Sequence, residues 1–217
     1  MKNIAKTITA IAAILITTTG FAQNEPITAT DSRSEFKFGF KAGINISNVY
    51  DEEGDDFVAD NKTGFAGGMF FSIPLGQIVG FQPEFMYSQK GFEASGSNIL
   101  GTYEYKRTTS YLDIPLQLQI KPTPSFTILV GPQYSYLLET KNEFNGSTST
   151  TQEDDINSDN YKKSIFGFVV GADINIQSFV ISGRAGWDIS KSDSDGDTTK
   201  PRYKNQVFQL TLGYTFN

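Results

Sequence analysis

The feature that most constrains the fold is an alternation of apolar and polar side chains, which recurs in eight segments. Successive side chains of a β-strand point to opposite faces, so this pattern predicts strands whose two faces meet different surroundings. No helical periodicity competes with it. The predicted strands are Phe36–Ile46, Phe65–Ile73, Val79–Tyr87, Leu112–Ile120, Phe126–Leu138, Phe166–Ile176, Phe179–Ile189 and Gln206–Phe216.

The links between these segments alternate in length. The short links are 74–77, 121–125 and 177–178, and the long polar links are 47–62, 89–108, 139–163 and 190–205. An up-and-down barrel with this order collects its short turns at one end and its long loops at the other, as in bacterial outer-membrane barrels. The sequence therefore predicts an all-β fold, an eight-stranded antiparallel up-and-down transmembrane β-barrel. We expect it in the outer membrane with both termini periplasmic.

The two faces of the predicted strands differ in size as well as polarity. One face is crowded with Phe, Leu, Ile and Tyr, and the other is rich in Gly, Ser, Thr and Gln. A soluble barrel or a β-sandwich would also alternate, but the aromatic face would overfill the interior of an eight-stranded barrel. We therefore assign the apolar face to lipid. The aromatic side chains predicted to form two interfacial girdles are Phe36, Tyr87, Phe126, Tyr136, Phe179, Trp187, Tyr214 and Phe216.

The N-terminal residues have the pattern of an export signal. Lys2 and Lys6 flank the start of a short apolar run, Ile8–Ile16, and small residues end the segment at Ala22. This predicts a signal peptide over residues 1–22. An amphipathic N-terminal helix is the alternative, but the run has no charged face. A short polar leader, 23–35, and the barrel domain, 36–217, follow.

The chain contains no Cys and no His, and its net charge is -6. Nucleophilic triads built on His and zinc sites with Cys or His ligands are therefore excluded. A carboxylate-only hydrolase stays possible, but we expect no enzyme activity and no cofactor. The acidic balance argues against a nucleic-acid partner, which requires a basic surface.

Several motifs resemble those of a known family. They are Phe38–Ser47, Gly80–Gly91, Tyr111–Leu116, Gly131–Tyr134, Gly171–Asp173 and Leu212–Phe216. With them the chain resembles, over essentially its whole mature length, the outer-membrane β-barrel "porin family" (PorT-like) proteins of Bacteroidetes-type bacteria. The resemblance implies an eight-stranded outer-membrane barrel and suggests a role as an accessory component of an envelope secretion machine. Asn217 departs from the terminal aromatic residue that usually ends such barrels.

Four charged residues fall on the inward face near mid-height of the predicted barrel. They are Lys41, Glu84, Asp113 and Arg184. Charges buried in a narrow lumen must pair, so we predict a salt-bridged plug. Plain structural packing is favoured over a gate or a proton path, because an eight-stranded barrel has no open aqueous channel.

The long links are acidic, and one stretch partly matches a calcium loop. Asp193, Asp195 and Asp197 stand at alternate positions, as oxygen ligands of calcium do. The glycine comes too early and no Glu stands at the twelfth position, so these residues are weak metal candidates. Solvated charge is favoured over bridging to lipopolysaccharide phosphates through divalent ions.

These features predict a non-enzymatic outer-membrane protein with a structural or surface-interaction role through its acidic extracellular loops. An accessory role in protein secretion is the alternative, and a narrow small-solute channel is disfavoured by the strand number. The expected partners are outer-membrane lipid, lipopolysaccharide and, during insertion, the barrel-assembly machinery. The sequence names no functional partner.

Overall fold

Antiparallel strands dominate the computed structural model, which describes residues 32–53, 60–98, 101–145, 150–153, 163–190 and 202–216. A short 3-10 turn, Ser32–Ser34, precedes the first strand. The described residues form nine strands: β1 (Lys37–Glu53), β2 (Asp60–Pro74), β3 (Val79–Asn98), β4 (Gly101–Thr123), β5 (Phe126–Asn145), β6 (Thr150–Glu153), β7 (Ser164–Ile176), β8 (Phe179–Asp188) and β9 (Arg202–Phe216).

Eight of these strands close into a barrel, as the alternation predicted. Neighbours in the sheet follow the order β4-β3-β2-β1-β9-β8-β7-β5, and a further pairing of β4 with β5 completes the ring. The pairing of β1 with β9 runs from Phe38↔Phe216 to Glu53↔Arg202. Closure pairs the backbone groups of the edges, which lipid could not satisfy. Strand β6 stands outside the ring and pairs with the far end of β5, from Lys141↔Glu153 to Phe144↔Thr150.

The apolar side chains point out of the barrel and the polar ones point in. Along β9, Leu210 and Leu212 are 52% and 58% exposed, whereas Thr211 between them is 2% exposed. The exposed aromatic side chains include the predicted girdle residues Phe36, Tyr87, Phe126, Tyr136, Phe179, Trp187, Tyr214 and Phe216. The barrel therefore has its apolar face outside, as the difference in side-chain size predicted.

One end of the barrel carries the short links and is called the turn end; the other is called the loop end. At the loop end the strands run further than predicted. The expectation of a long polar loop over residues 89–108 is wrong, because β3 continues to Asn98 and β4 begins at Gly101, in unbroken register from Tyr87↔Leu112 to Asn98↔Gly101. Outward side chains become polar beyond Tyr87, which ends the hydrophobic alternation while backbone pairing continues. Strand β8, in contrast, ends at Asp188 and not at Ile189.

A bulge marks the start of this extension. The register between β2 and β3 shifts between Asn61 and Ala66, opposite Gly91 of β3. Gly91 has a φ of 140°, a conformation that side-chain-bearing residues rarely adopt.

Three of the predicted features lie wholly or mostly outside the described residues. They are the signal peptide, 1–22, the leader, 23–35, of which only residues 32–35 are described, and the aspartates Asp193, Asp195 and Asp197. No helix of the described part of the chain is long and apolar enough to cross a membrane.

Candidate functional site: the charged interior of the barrel

A single carboxylate, Glu84, is the centre of the ionic interior. Lys41 Nζ lies 2.6 Å from Glu84 Oε1, and the Arg184 guanidinium donates from Nη1 to Oε2 at 2.7 Å and from Nη2 to Oε1 at 3.0 Å. Two amides also donate to Oε1, Gln82 Nε2 at 2.7 Å and Gln117 Nε2 at 2.9 Å. A carboxylate with this many donors is held in its charged form and in one position.

The three charged residues, here called the ionic core, come from strands that face one another. Going round the ring, β3 and β8 are four strands apart in the order β3-β2-β1-β9-β8. The contact between Glu84 and Arg184 therefore crosses the lumen. All three side chains are buried, with Glu84 at 0%, Lys41 at 3% and Arg184 at 8% exposure. Lys41 also lies over the Phe70 ring, 4.9 Å from its centroid.

The fourth residue of the predicted plug lies elsewhere. Asp113 Oδ1 pairs with Lys90 Nζ at 3.1 Å, and the same ammonium donates to Ser135 Oγ at 3.4 Å. Lys90 lies 4.8 Å from the centroid of the Tyr111 ring. The structure therefore brings Lys41, Glu84 and Arg184 together and places Asp113 in a second ion pair.

Neutral polar side chains fill the lumen beside these ion pairs. Gln209 Nε2 donates to Asn45 Oδ1 at 2.8 Å, and Asn45 Nδ2 donates to Ser88 Oγ at 2.8 Å. These two hydrogen bonds connect β9, β1 and β3 through uncharged side chains. Met86, Leu129 and Val169 are buried as well, so apolar atoms share the interior.

The alternation of inward and outward side chains along β3 is sufficient to predict a partner for Asp113. Inward positions of β3 are even-numbered, from Gln82 to Lys90. The sequence interpretation ended the third strand at Tyr87 and so assigned Lys90 to a loop. Continuing the alternation by three residues, from Tyr87 to Lys90, places an ammonium inside the lumen.

The arrangement is better suited to closing the lumen than to metal binding or catalysis. The described residues contain no group of three or more His, Cys, Asp or Glu side chains that could hold a metal ion. Both oxygens of Glu84 accept hydrogen bonds and the side chain is buried, so it is poorly placed to act as a general base.

Comparison with known proteins places this barrel in context. The family described as "Outer membrane protein beta-barrel domain" matches residues 21–194. The chain is similar to the crystal structure of Ail, the attachment invasion locus protein of Yersinia pestis, in complex with the heparin analogue sucrose octasulfate. The two share 14% identity over 84% of this chain and 99% of Ail, with a TM-score of 0.50.

The outer membrane protein OprG of Pseudomonas aeruginosa is also similar, at 13% identity over 85% of this chain and 97% of OprG, with a TM-score of 0.45. Comparison with curated proteins found no match. The family match covers most of the chain and agrees with the closed eight-stranded ring. The chain belongs to the outer membrane protein beta-barrel domain family and is a protein of the outer membrane.

Proposed function

We propose that the protein is a non-enzymatic outer-membrane barrel with a structural or surface-interaction role carried by its loop end. The observation that carries the proposal is the ionic core, in which Arg184 reaches Glu84 across the lumen. A lumen closed in this way leaves the outer surfaces for function. In this proposal both termini and the turn end face the periplasm, and the loop end faces the cell exterior.

The projecting hairpin of β3 and β4 supports a role in surface contacts. These strands have 20 and 23 residues, whereas about 9–11 residues suffice to cross a bilayer. The extension carries an exposed ion pair, Lys106 with Glu93 at 3.2 Å. Charged, protruding segments on a rigid barrel are where binding specificity usually resides.

The loop end also contains a small apolar cluster that stiffens the base of the hairpin. Phe92 of β3 packs with Val49 of β1, and Tyr105 of β4 packs against both. Tyr105 donates its hydroxyl to Asn142 Oδ1 of β5 at 2.8 Å. The base of the projection is thus anchored to strands on both sides of it, as a presentation surface requires.

Shortening the hairpin tests the proposal. Residues 95–104 are replaced by Asn-Gly, which joins the paired residues Ala94 and Tyr105 through a two-residue turn. We expect the variant to insert and keep the heat-modifiable gel mobility of a folded barrel. It should lose the chemical cross-links that the wild-type protein forms with other surface components in native envelopes.

A change at the opposite end is the control. Gly76 lies in a short link, where an added methyl group would meet no other atom within 4 Å, so Gly76→Ala should keep every cross-link. A hairpin variant that folds and retains the complete wild-type cross-linking pattern and envelope integrity would contradict the surface role.

The resemblance to PorT-like proteins supports a second candidate, an accessory role in protein secretion. Its motifs include Gly80–Gly91, which contains Glu84 and Lys90 of the two lumen ion pairs. Deletion of the gene should then stop the export of secreted proteins, and the wild-type gene should restore it. Unchanged export in the deletion strain would eliminate this candidate.

Lipid and lipopolysaccharide are the further partners that the proposal implies, with the barrel-assembly machinery acting during insertion. The acidic links favour solvated charge at the cell surface over a fixed metal site. A small-solute channel is the least favoured function, because the ionic core crosses the lumen.

A further inference from the structure

A second charged region lies in the lumen at the turn end, next to the ionic core, since Gln82 and Phe70 line it and also contact Glu84 and Lys41. It is a small cleft of about 40 Å³, part of it open to solvent. Three cationic residues line it: Arg33 of the turn before β1, Lys37 of β1 and Lys121 of β4. One carboxylate, Asp173 of β7, shares the lining. The excess is positive, although the whole chain has a net charge of -6.

Lys121 is buried in this cleft with neutral partners. It is 6% exposed, and its Nζ donates to Ser72 Oγ and to the Arg33 carbonyl oxygen, both at 3.2 Å. An ammonium has three donors and these contacts use two of them. Within the described part of the chain, neither Lys121 nor Lys37 forms an ion pair with a carboxylate. A buried ammonium without a counter-charge is unfavourable, so an anion in the cleft would stabilise it.

Arg33 is held over the same cleft by backbone contacts. Its Nη1 donates to the carbonyl oxygens of Lys121 at 3.4 Å and Pro122 at 3.3 Å. Together with the bond from Lys121 Nζ to Arg33 O, these contacts tie the segment before β1 to the end of β4. The position of the guanidinium is therefore set by the barrel.

The buried carboxylate of Asp173 restricts the kind of anion that the cleft could bind. It is 3% exposed, and its Oδ1 accepts no hydrogen bond from the described residues. Asp173 also faces Lys41 and Arg184 of the ionic core. An unused carboxylate acceptor in a cleft that three further cations line fits a ligand that is negatively charged and also carries a proton to donate. A phosphate group keeps one proton near its second pKa of about 6, whereas sulfate has none at that pH.

We propose that the turn-end cleft binds a protonated phosphate group, supplied as free phosphate or as the phosphate monoester of a lipid headgroup. Lys37, Lys121 and Arg33 contact its anionic oxygens, and Asp173 Oδ1 accepts a hydrogen bond from its protonated oxygen. This site is separate from the loop-end role proposed above, and neither depends on the other.

Calorimetric titration of the refolded full chain in a phosphate-free detergent buffer tests the proposal, at about pH 5.5, where most of the phosphate keeps one proton because its second pKa is about 6. The titrants are inorganic phosphate, sulfate and water-soluble dihexanoyl phosphatidic acid. We expect phosphate to bind at least about tenfold more tightly than sulfate, since only phosphate satisfies Asp173. Tighter binding of phosphatidic acid than of phosphate would assign the site to a lipid headgroup, and equal binding would assign it to the free anion.

Variants locate the site. Lys121→Met and Lys37→Gln should each weaken phosphate binding by about tenfold, because each removes a charged donor. Asp173→Asn should reduce the preference for phosphate over sulfate. Lys141→Gln is the matched control, since Lys141 is an exposed lysine at the loop end, paired with Glu143 at 3.0 Å. Heat-modifiable mobility checks that each variant is folded, and the half-buried Lys37 keeps the test valid if Lys121→Met does not fold.

Three results would overturn the proposal. One is the absence of phosphate binding at millimolar concentration. Another is equal binding of sulfate and phosphate by the wild-type protein. The third is phosphate binding that folded Lys37→Gln leaves at the wild-type affinity.

Discussion

At the scale of single residues, the ionic core shows how a narrow barrel tolerates charge away from water. Glu84 receives donors from two cations and two amides, and no charge in this group lacks a partner. Burying these charges costs desolvation free energy that their mutual attraction roughly offsets, so the three residues together add little net stability. Loss of one residue leaves the others without their partner and lowers the free energy of unfolding. Lys41, Glu84 and Arg184 should therefore behave as one unit.

Glu84→Gln tests this unit. The substitution keeps the size of the side chain but removes the carboxylate that Lys41 and Arg184 contact directly. We expect the free energy of unfolding to fall by about 3–5 kcal/mol, measured by denaturant unfolding in lipid vesicles. Glu93→Gln removes an exposed carboxylate paired with Lys106 and should cost less than about 1 kcal/mol. Equal effects of the two substitutions would contradict an ionic core whose three members depend on one another.

The residue pattern alone could place these charges inside the barrel, but not pair them. Alternation puts Glu84, Asp113 and Arg184 on the inward face, where the structure has them. Partners depend on height, and neighbouring strands of a barrel are staggered by a shear that alternation does not encode. Asp113 therefore meets Lys90, and the ionic core is completed without it.

At the scale of elements, the predicted strand segments match the lipid-crossing part of each strand better than its full length. Turn-end limits agree closely for β3, β5 and β8, which begin at Val79, Phe126 and Phe179 as predicted. Most loop-end limits do not agree, because past the lipid the strict alternation of apolar outward and polar inward side chains ends. Backbone pairing alone defines the strands there, and pairing leaves little signal in one sequence.

The extended hairpin can be tested by cross-linking, since the chain has no native cysteine. Glu93 and Lys106 are directly paired, so Glu93→Cys with Lys106→Cys should form a disulfide under mild oxidation. Glu93→Cys with Glu104→Cys is the control, because Glu104 pairs with Ser95 and lies diagonally from Glu93 at about 7–8 Å. Gel mobility after oxidation reports both reactions. Similar cross-linking of the two pairs would show that residues 89–108 form a loop.

At the scale of the whole molecule, one apolar surface surrounds a polar and ionic interior. Aromatic contacts reinforce this surface at the turn end, where Phe38 stacks on Phe216 with ring centroids 5.0 Å apart. That contact joins the first and last strands of the ring. An outward surface of this kind is stable in lipid and would promote aggregation in water.

A pair of leucines tests whether the surface faces lipid. Leu210 is 52% exposed near the middle of β9, and Leu75 is 67% exposed in a short link at the turn end. In lipid vesicles, Leu210→Arg should lower the free energy of unfolding by about 2–4 kcal/mol, and Leu75→Arg by about 0–1 kcal/mol. If these positions faced water, both substitutions would leave the free energy of unfolding nearly unchanged. That result would contradict the membrane assignment.

Conductance across a planar lipid bilayer tests most directly the claim that the lumen is closed. Folded wild-type protein, checked by heat-modifiable mobility, is inserted from detergent and recorded under applied voltage. The ionic core and its amide neighbours predict no stepwise ion current, and Arg184→Ala should also be silent because Lys41, Gln82 and Gln117 still surround Glu84. Discrete current steps from the wild-type protein would contradict a closed lumen, and steps seen only in Arg184→Ala would make Arg184 a gate.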